Sequence, residues 1–302
     1  MKKIVVLTII ICFFQSAERA HAGATEWFDF EITGGHIIIE TQLAGRTGYS
    51  MIDTGAQMNG INGNALIAQG LSYPTNDKIK VTGVHGSDYR PVYRKIPVTV
   101  FGIEINFSDL VDFRLPDPEE HLILGAGFLK LFIFQFDYPN QRMRMITRDS
   151  LDLKKLKNVN SKKSPHGGSP LVKVNLNNDA KVWLILDTGA SGGILLERSV
   201  ATRAKWLDRY PAIDASSRGI NSSGEMLAFN LPTMNISDIE IENPIILVPK
   251  KGEKLAIFEE EVKLGSKIPK SRKAKGLLGY DILKHFVVTI DYQSGHVHLQ
   301  VP

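Results

Sequence analysis

Short apolar runs dominate this chain, and most of them end at glycine or asparagine turns. Residues 37–43 and 171–176 are two such runs, followed by the turns Ala44-Gly45-Arg46 and Asn177-Asn178-Asp179. Runs of this length bounded by such turns predict β-hairpins. Alternating polar and apolar positions at 296–299 indicate a strand with one buried face.

Helical segments are predicted to be few and short. They are expected at 64–69, 128–132, 196–206 and 281–286. A hairpin is predicted to close each half of the chain, at 134–146 and 287–301. The hydrophobic pattern therefore predicts an all-β protein with a few short helices.

The sequence repeats itself. Asp53-Thr54-Gly55-Ala56 recurs as Asp187-Thr188-Gly189-Ala190, an offset of 187 − 53 = 134, and both copies follow an apolar run. A later block, 123–138, recurs at an offset of 279 − 125 = 154 with seven identical residues. Repeats in register at two places indicate an internal duplication.

The duplication predicts the domain organisation. We expect an N-terminal lobe at 23–150, a polar, turn-rich linker at 151–168 and a C-terminal lobe at 169–302. The second copy is longer by 154 − 134 = 20 residues between its two blocks, and the lysine-rich stretch 249–275 is the expected insertion. Two pseudo-twofold lobes on one chain predict a monomer.

The N-terminus has the pattern of a secretory signal peptide. Lys2 and Lys3 precede an apolar run at 4–14, and Ala20-His21-Ala22 follows as a small-x-small cleavage signal. This run is too short to span a bilayer, which takes ~20 residues. We therefore predict removal of residues 1–22, export to the periplasm or to the medium, and no stable membrane insertion afterwards.

Composition excludes several classes of function. The net charge of +4 becomes +2 without residues 1–22, because basic residues fall from 36 to 33 and acidic ones from 32 to 31. A nucleic-acid partner is not expected at this charge. Cys12, the one cysteine, lies in the predicted signal peptide, which excludes cysteine nucleophiles and disulfides from the mature chain. His296 and His298 would share a strand face, but no third ligand is spaced with them, so neither a metal nor a cofactor is expected.

Two aspartates at matched positions of a duplicated unit suggest chemistry. A single Asp-Thr-Gly is usually a plain turn. An apolar strand that runs directly into an aspartate, however, places the carboxyl where it is buried. Two such carboxyls meeting across a pseudo-twofold axis would share one proton, since adjacent like charges do not both ionise. The aspartic-protease dyad is itself the standard example of this effect.

These paired motifs resemble those of aspartic peptidases. The resemblance extends to the later blocks, Ile123-Leu124-Gly125 and Leu277-Leu278-Gly279, which are similar to that family's hydrophobic-hydrophobic-glycine motif. An alanine after each Asp-Thr-Gly is similar to retroviral proteases. Overall the chain resembles bacterial retropepsin-like aspartyl proteases with both lobes on one chain, which implies a bilobal pepsin/retropepsin-like fold of two β-barrel-like lobes.

The resemblance also implies roles for residues. Asp53 and Asp187 would be the catalytic pair, and Gly125 and Gly279 would let a strand pack under each loop. Residues that support the two loops would be Thr54, Gly55, Ala56, Thr188, Gly189, Ala190 and Ser191. Two flaps over a peptide or protein substrate would include Val84, His85 and Gly86 in the first lobe and Asn221, Ser222, Ser223 and Gly224 in the second.

Three functional classes remain at this point. The first is an exported aspartic endopeptidase. The second is a peptide-binding protein without turnover that uses the same cleft, and the third is a structural exported domain. Both aspartates stand beside an intact threonine and glycine, and this favours the endopeptidase.

Overall fold

The structure is a computed structural model that describes residues 23–76, 78–165, 167–258 and 273–302. The predicted signal peptide at 1–22 lies outside the described residues, and so does most of the predicted insertion at 249–275.

The first half of the chain consists mainly of short strands. They are β1 (Phe28–Asp29), β2 (Glu31–Thr33), β3 (His36–Leu43), β4 (Arg46–Ile52), β5 (Gly60–Ile61), β6 (Ile79–Gly83), β7 (Gly86–Arg90), β8 (Val92–Tyr93), β9 (Ile96–Val100), β10 (Ile103–Phe107), β11 (Leu110–Asp112), β12 (Glu120–Leu124), β13 (Ile133–Asp137) and β14 (Arg142–Ile146). Helices α1 (Gly63–Ala68) and α2 (Ala126–Leu129) lie among them.

The second half repeats this composition. Its strands are β15 (Ser161–Lys163), β16 (Pro170–Leu176), β17 (Ala180–Leu186), β18 (Ile194–Leu196), β19 (Ile213–Arg218), β20 (Ser223–Asn230), β21 (Thr233–Ile236), β22 (Ile239–Glu242), β23 (Ile245–Pro249), β24 (Ala274–Leu278), β25 (Val287–Asp291) and β26 (His296–Gln300). Its helical segments are α3 (Leu153–Leu156), α4 (Arg198–Arg203), α5 (Trp206–Arg209), α6 (Tyr280–Leu283) and a 3₁₀ turn at Ala256–Phe258. The all-β fold class with a few short helices is confirmed.

Each lobe has one large sheet built on the same plan. The first follows the order β10-β9-β3-β4-β12-β5-β11-β8, and the second follows β19-β20-β23-β18-β24-β17-β16-β21-β22. In each, the strand that leads into Asp-Thr-Gly lies between its hairpin partner and a parallel strand that ends at the glycine motif. The parallel pairs are β4 with β12 and β17 with β24.

A third sheet joins the lobes, with the order β1-β14-β13-β25-β26. The two hairpins predicted to close their own lobes are present, but β13 and β25 pair with each other, Phe136 opposite Val288. Both of these side chains are buried, so the joint sheet places the hydrophobic faces of both hairpins in one core. The hairpins therefore belong to both lobes together.

The helix predictions differ from the structure in detail. The helix α1 starts one residue early because the Asn62 side chain caps it by accepting from Asn64 N. The predicted helix at 196–206 is split into α4 and α5, since Lys205 between them has a left-handed φ of 56°. Helices α2 and α6 begin directly after Gly125 and Gly279.

The predicted linker at 151–168 contains ordered structure. It contains α3, and its strand β15 pairs with β16 of the second lobe. Among the helices of the described ranges, none combines the length and the apolar character needed to cross a bilayer.

Candidate active site

The two predicted aspartates lie side by side where the lobes meet. Asp53 follows β4 and Asp187 follows β17, and their backbone N–H groups donate to Leu124 O and Leu278 O at 3.0 Å each. Each parallel strand thus fixes the point at which an aspartate leaves the sheet. The two carboxyl groups are close enough for each to shift the pKa of the other.

The two threonines cross over between the loops. Thr54 N donates to Thr188 Oγ1 at 3.0 Å, and Thr188 N donates to Thr54 Oγ1 at 2.9 Å. Each hydroxyl also donates to the opposite lobe, Thr54 Oγ1 to Leu186 O at 2.7 Å and Thr188 Oγ1 to Ile52 O at 2.8 Å. Because both side chains are buried, these four hydrogen bonds hold the loops together in a place that water does not reach.

The glycines of both motifs are required by close approach. A Cβ at Gly55 would lie 2.6 Å from Asp187 Oδ1, and one at Gly189 would lie 2.6 Å from Asp53 Oδ1. Any side chain there would push the carboxyls apart. The loop amides also hold the carboxyls: Asp53 Oδ1 accepts from Gly55 N and Ala56 N, and Asp187 Oδ1 accepts from Gly189 N.

Both carboxyls resist ionisation. Burial raises the pKa of Asp53, whereas hydrogen bonds from Asp187 and the loop amides and the charge of His36 lower it. Burial and then the charge of Asp53 raise the pKa of Asp187 well above its ordinary value. The pair therefore holds a proton more firmly than two separate carboxyls would.

The glycine motif allows each loop to pack on the strand beneath it. A Cβ at Gly125 would lie 2.7 Å from Ala56 O, and one at Gly279 would lie 2.5 Å from Ala190 O. The bracing differs between the lobes: Asn59 Oδ1 accepts from Gly125 N at 3.0 Å, whereas Gly279 N donates to Gly193 O at 2.9 Å.

Two hairpins project over this region, as predicted. The first flap is β6–β7 with Val84 and His85 at its tip, and the second flap is β19–β20 with residues 219–222 at its tip. Gly86 begins β7, and Ser223 and Gly224 begin β20. Val84 packs in a cluster with Ala190 of the second lobe, while Ile220 packs in a cluster with Ala56 of the first lobe. Each flap therefore rests on the opposite lobe.

The flap tips are joined by hydrogen bonds. Asn221 Nδ2 donates to Val81 O and to Gly86 O at 3.0 Å each, and Arg90 Nη2 donates to Asn221 Oδ1 at 3.1 Å. His85 adds two contacts: its Nε2 meets Ser217 Oγ, and its carbonyl oxygen accepts from Ser222 Oγ. We call this set of contacts the flap clasp.

Beside the first flap, a cavity of about 620 Å³ opens next to the aspartate loop. Its walls are Met58, Thr75, Asn76, Ile79, Val92, Arg94 and Asp109. Its lining residue Met58 follows Asp53 by five residues in the sequence. The walls offer apolar surface and the opposite charges of Arg94 and Asp109.

Other predicted residues have different positions. Ser191 is exposed, and its backbone abuts the turn at Gly35; within the described ranges, no hydrogen bond joins its side chain to either carboxyl. His298 Nδ1 is 2.8 Å from Leu156 O. In the part of the chain that the structure describes, no group of three His, Cys, Asp or Glu side chains is arranged to hold a metal ion.

Sequence reasoning did not identify Asn59 or His36 as site residues, and it placed Asn221 on the second flap without a partner. Nothing in the sequence indicates that the Asn221 side chain reaches the other flap. For His36 a signal existed, because counting back through the tight turn at 44–45 places this residue opposite Asp53.

Comparisons with known proteins bear on the second lobe. Residues 172–282 match the family model described as aspartyl protease, which confirms the resemblance indicated by the paired motifs. The search of curated proteins finds no match. Among solved structures, a retropepsin-like aspartic protease from Rickettsia conorii is similar to 44% of this chain and 83% of its own, with 20% identity and a TM-score of 0.29.

Replacing the Thr54 hydroxyl should destabilise the fold. Thr54→Val leaves Thr188 N and Leu186 O without their partner, and we expect the free energy of unfolding to fall by about 2–4 kcal/mol. Thr54→Ser, the control, keeps the hydroxyl and should lose about 1 kcal/mol. Urea unfolding measures both, and equal losses in the two variants would contradict a role for the hydrogen bonds.

Raising the pH should destabilise the fold through Asp187. Its folded-state pKa lies well above the ordinary value of 3.8, so the folded protein retains a proton that the unfolded chain has released. The free energy of unfolding should therefore fall as the pH rises from 3.8 through the raised value, and Asp187→Asn should remove that part of the slope.

Urea titrations across this pH range test the expectation. The exposed Asp238 provides a control, because Asp238→Asn should leave the slope unchanged. If the slope of Asp187→Asn were the same as that of the parent, the raised pKa would be wrong.

Proposed function

We propose that this chain is an exported aspartic endopeptidase that hydrolyses peptide bonds with a water activated between Asp53 and Asp187. The observation that carries the proposal is the contact between the two carboxyls, held by the reciprocal threonine hydrogen bonds. A structural turn would have no need of two adjacent carboxyls, one buried and one half-buried, since withdrawing them from water costs stability.

The chemistry needs one ionised and one protonated carboxyl. The carboxylate takes a proton from the water as its oxygen attacks the carbonyl carbon of the substrate, while the carboxylic acid donates its proton to the carbonyl oxygen. The resulting tetrahedral diol collapses as the C–N bond breaks, and a proton passes to the leaving amine. Because the pair exchanges its proton states within each cycle, no other acid or base is needed.

The substrate would be an extended peptide or protein segment between the flaps and the aspartates. The flaps are β-hairpins, and an extended backbone can add to a strand edge by β-augmentation. The cavity lined by Met58, Ile79, Arg94 and Asp109 would receive a substrate side chain. We expect the two lobes of one chain to suffice, so the enzyme would act as a monomer without a cofactor.

Export rests on the N-terminal sequence pattern alone. The periplasm is the proposed compartment, with secretion to the medium as the alternative. A fold without cysteine in its mature part would suit either place, because it depends on packing and not on disulfides.

Peptide binding without turnover is the second candidate. The flap clasp and the cleft would serve a receptor equally well, but a receptor would gain nothing from a proton-sharing carboxyl pair. The two candidates therefore predict different effects of replacing one carboxyl: a peptidase would lose cleavage, whereas a receptor would keep its peptide binding.

The test compares the purified protein with Asp53→Asn and Asp187→Asn on a mixed peptide library, from acidic to neutral pH. We expect the parent to cleave and each variant to lose about 10²–10⁴-fold in kcat/KM, with the fold retained by circular dichroism. Asp238→Asn, on an exposed turn, should keep parental activity. Peptide binding without cleavage at any pH, unchanged in both variants, would establish the receptor instead.

The flap clasp should affect turnover through substrate binding. Asn221→Ala removes three hydrogen bonds between the flaps, and we expect KM to rise about tenfold with a smaller change in kcat, because the closed state loses about 1 kcal/mol or more.

Asn230→Ala is the matched control for this prediction. Asn230 is the last residue of β20 in the same flap, and its side chain donates to Asn243 O. Steady-state kinetics with one cleaved peptide measures both variants. Equal KM values for Asn221→Ala and Asn230→Ala would rule out the clasp as a binding element.

A further inference from the structure

We propose that His36 is a positioning residue that keeps Asp53 the ionised member of the pair, which assigns Asp53 as the base and Asp187 as the acid. This inference rests on the proposed peptidase function and goes beyond it by giving the two aspartates different roles. The duplicated motifs alone make the two equivalent.

His36 is the cross-strand neighbour of Asp53. Strands β3 and β4 are antiparallel with Ile37 opposite Ile52, so the next position outward places His36 opposite Asp53. Cross-strand neighbours project to the same face of a sheet with Cβ atoms ≈ 4.5–5.5 Å apart. The imidazole therefore stands on the side of the sheet that carries the carboxyl.

At the equivalent position of the second lobe the described residues carry a neutral side chain. There Leu171 lies opposite Ile185, and the same count places Ser169 opposite Asp187. Ser169 is buried, and its hydroxyl is 3.2 Å from Tyr292 Oη. One aspartate thus has an ionisable imidazole as its neighbour, and the other has a neutral hydroxyl pair.

One nitrogen of the His36 imidazole is left unpaired. Among the described residues, its buried Nδ1 has no hydrogen-bond partner. By contrast, the buried His121 has Thr41 Oγ1 and Gln69 Nε2 at 3.3 Å from its two ring nitrogens. A half-buried histidine beside a carboxyl with a nitrogen left unpaired is what an electrostatic role requires.

The turn before His36 is fixed by the other lobe. A Cβ at Gly35 would lie 2.9 Å from Ser191 O, so this turn packs against the aspartate loop of the second lobe, and φ at Gly35 is 86°. Contact between the lobes at this point keeps His36 in place relative to both carboxyls.

Charge acts between His36 and Asp53 in both directions. Burial lowers the pKa of His36 and the charge of Asp53 raises it, while His36 helps to lower the pKa of Asp53. From β2, Glu31 lies opposite Ile38 and not His36, and from the second lobe Asp187 is the charged neighbour of Asp53. Asp53 is the charged group that acts on His36 among the described residues.

The loop amides act on both carboxyls and do not distinguish them. Asp53 Oδ1 accepts from Gly55 N and Ala56 N, while hydrogen bonds from Gly189 N and Gly55 N lower the pKa of Asp187. Hydrogen bonds from N–H groups favour the ionised form of a carboxyl. The difference between the two aspartates therefore comes from a protonated His36 at acidic pH, where the pair takes up its second proton.

The first experiment measures the pH dependence of kcat/KM. In His36→Gln the acid limb should move to higher pH, with activity on that limb about three- to tenfold lower, and the alkaline limb should stay in place because His36 is neutral there. His36→Lys restores a positive charge and should return the acid limb toward the parent. His298→Gln, which alters a histidine bonded to Leu156 O, should change neither limb.

Two results would overturn the proposal. One is an equal loss in His36→Gln and His36→Lys at every pH, which would mean that the imidazole serves packing. The other is an acid limb that does not move in His36→Gln.

A second experiment needs no activity. NMR titration of the imidazole signals should show that the pKa of His36 is lower in Asp53→Asn than in the parent, with a smaller change in Asp187→Asn and none for His298. An unchanged pKa of His36 in Asp53→Asn would overturn this proposal, whereas lack of cleavage by the parent would overturn the peptidase proposal alone.

Discussion

The close approach of two carboxyl groups withdrawn from water, Asp187 buried and Asp53 half-buried, is the constraint on which this structure depends. Two like charges brought together out of water repel each other and lose hydration. The pair must therefore share a proton, and the backbone that carries the carboxyls must be held rigidly in place. The reciprocal bonds of Thr54 and Thr188 provide that restraint, and the glycines that follow them give the carboxyls room. Each loop is in turn fixed by the parallel strand that accepts the aspartate N–H. The strand order of each lobe thus supports the contact between the two carboxyls. The joint sheet, in which β13 pairs with β25, holds the two lobes together.

Duplication made the two halves of the site symmetric, and the differences between the copies distinguish one aspartate from the other. The first loop is braced by the Asn59 side chain and the second by the backbone of Gly193. The same asymmetry continues at the cross-strand positions, where His36 and Ser169 differ in charge. A symmetric pair can share a proton but has no preferred acid or base. Departures from the repeat are therefore the places where an acid and a base would be distinguished, and each lies in direct contact with an aspartate loop or one strand away from it.

The sequence could predict the parts that depend on local pattern and on repetition. Period-two alternation and Gly/Asn turns predicted strands and hairpins, and the repeat located the two aspartates and the glycine beneath each. The flap positions came from the resemblance to aspartic peptidases and not from the pattern. It could not predict that the terminal hairpins pair with each other, because alternation specifies a buried face and not the strand that covers the edge. Lys205 breaks a helix through a backbone angle that a lysine rarely adopts, which composition does not reveal. The contacts of Asn221 could not be predicted for the same kind of reason: its partners, Val81 O and Gly86 O, are backbone atoms about 140 residues away.

The flap clasp sets a condition on how a substrate enters. Val84 and Ile220 each pack on the lobe opposite their own, so opening the flaps exposes apolar surface on both sides at a cost of about 25 cal/mol per Å². The same movement breaks the bonds of Asn221, and its amide and the carbonyls of Val81 and Gly86 are then left to pair with water or with an incoming strand. An extended peptide offers N–H and C=O groups at the right spacing, whereas a folded surface offers few. The clasp would therefore disfavour folded proteins and admit chains that can replace its hydrogen bonds, which makes the flaps themselves part of substrate selection.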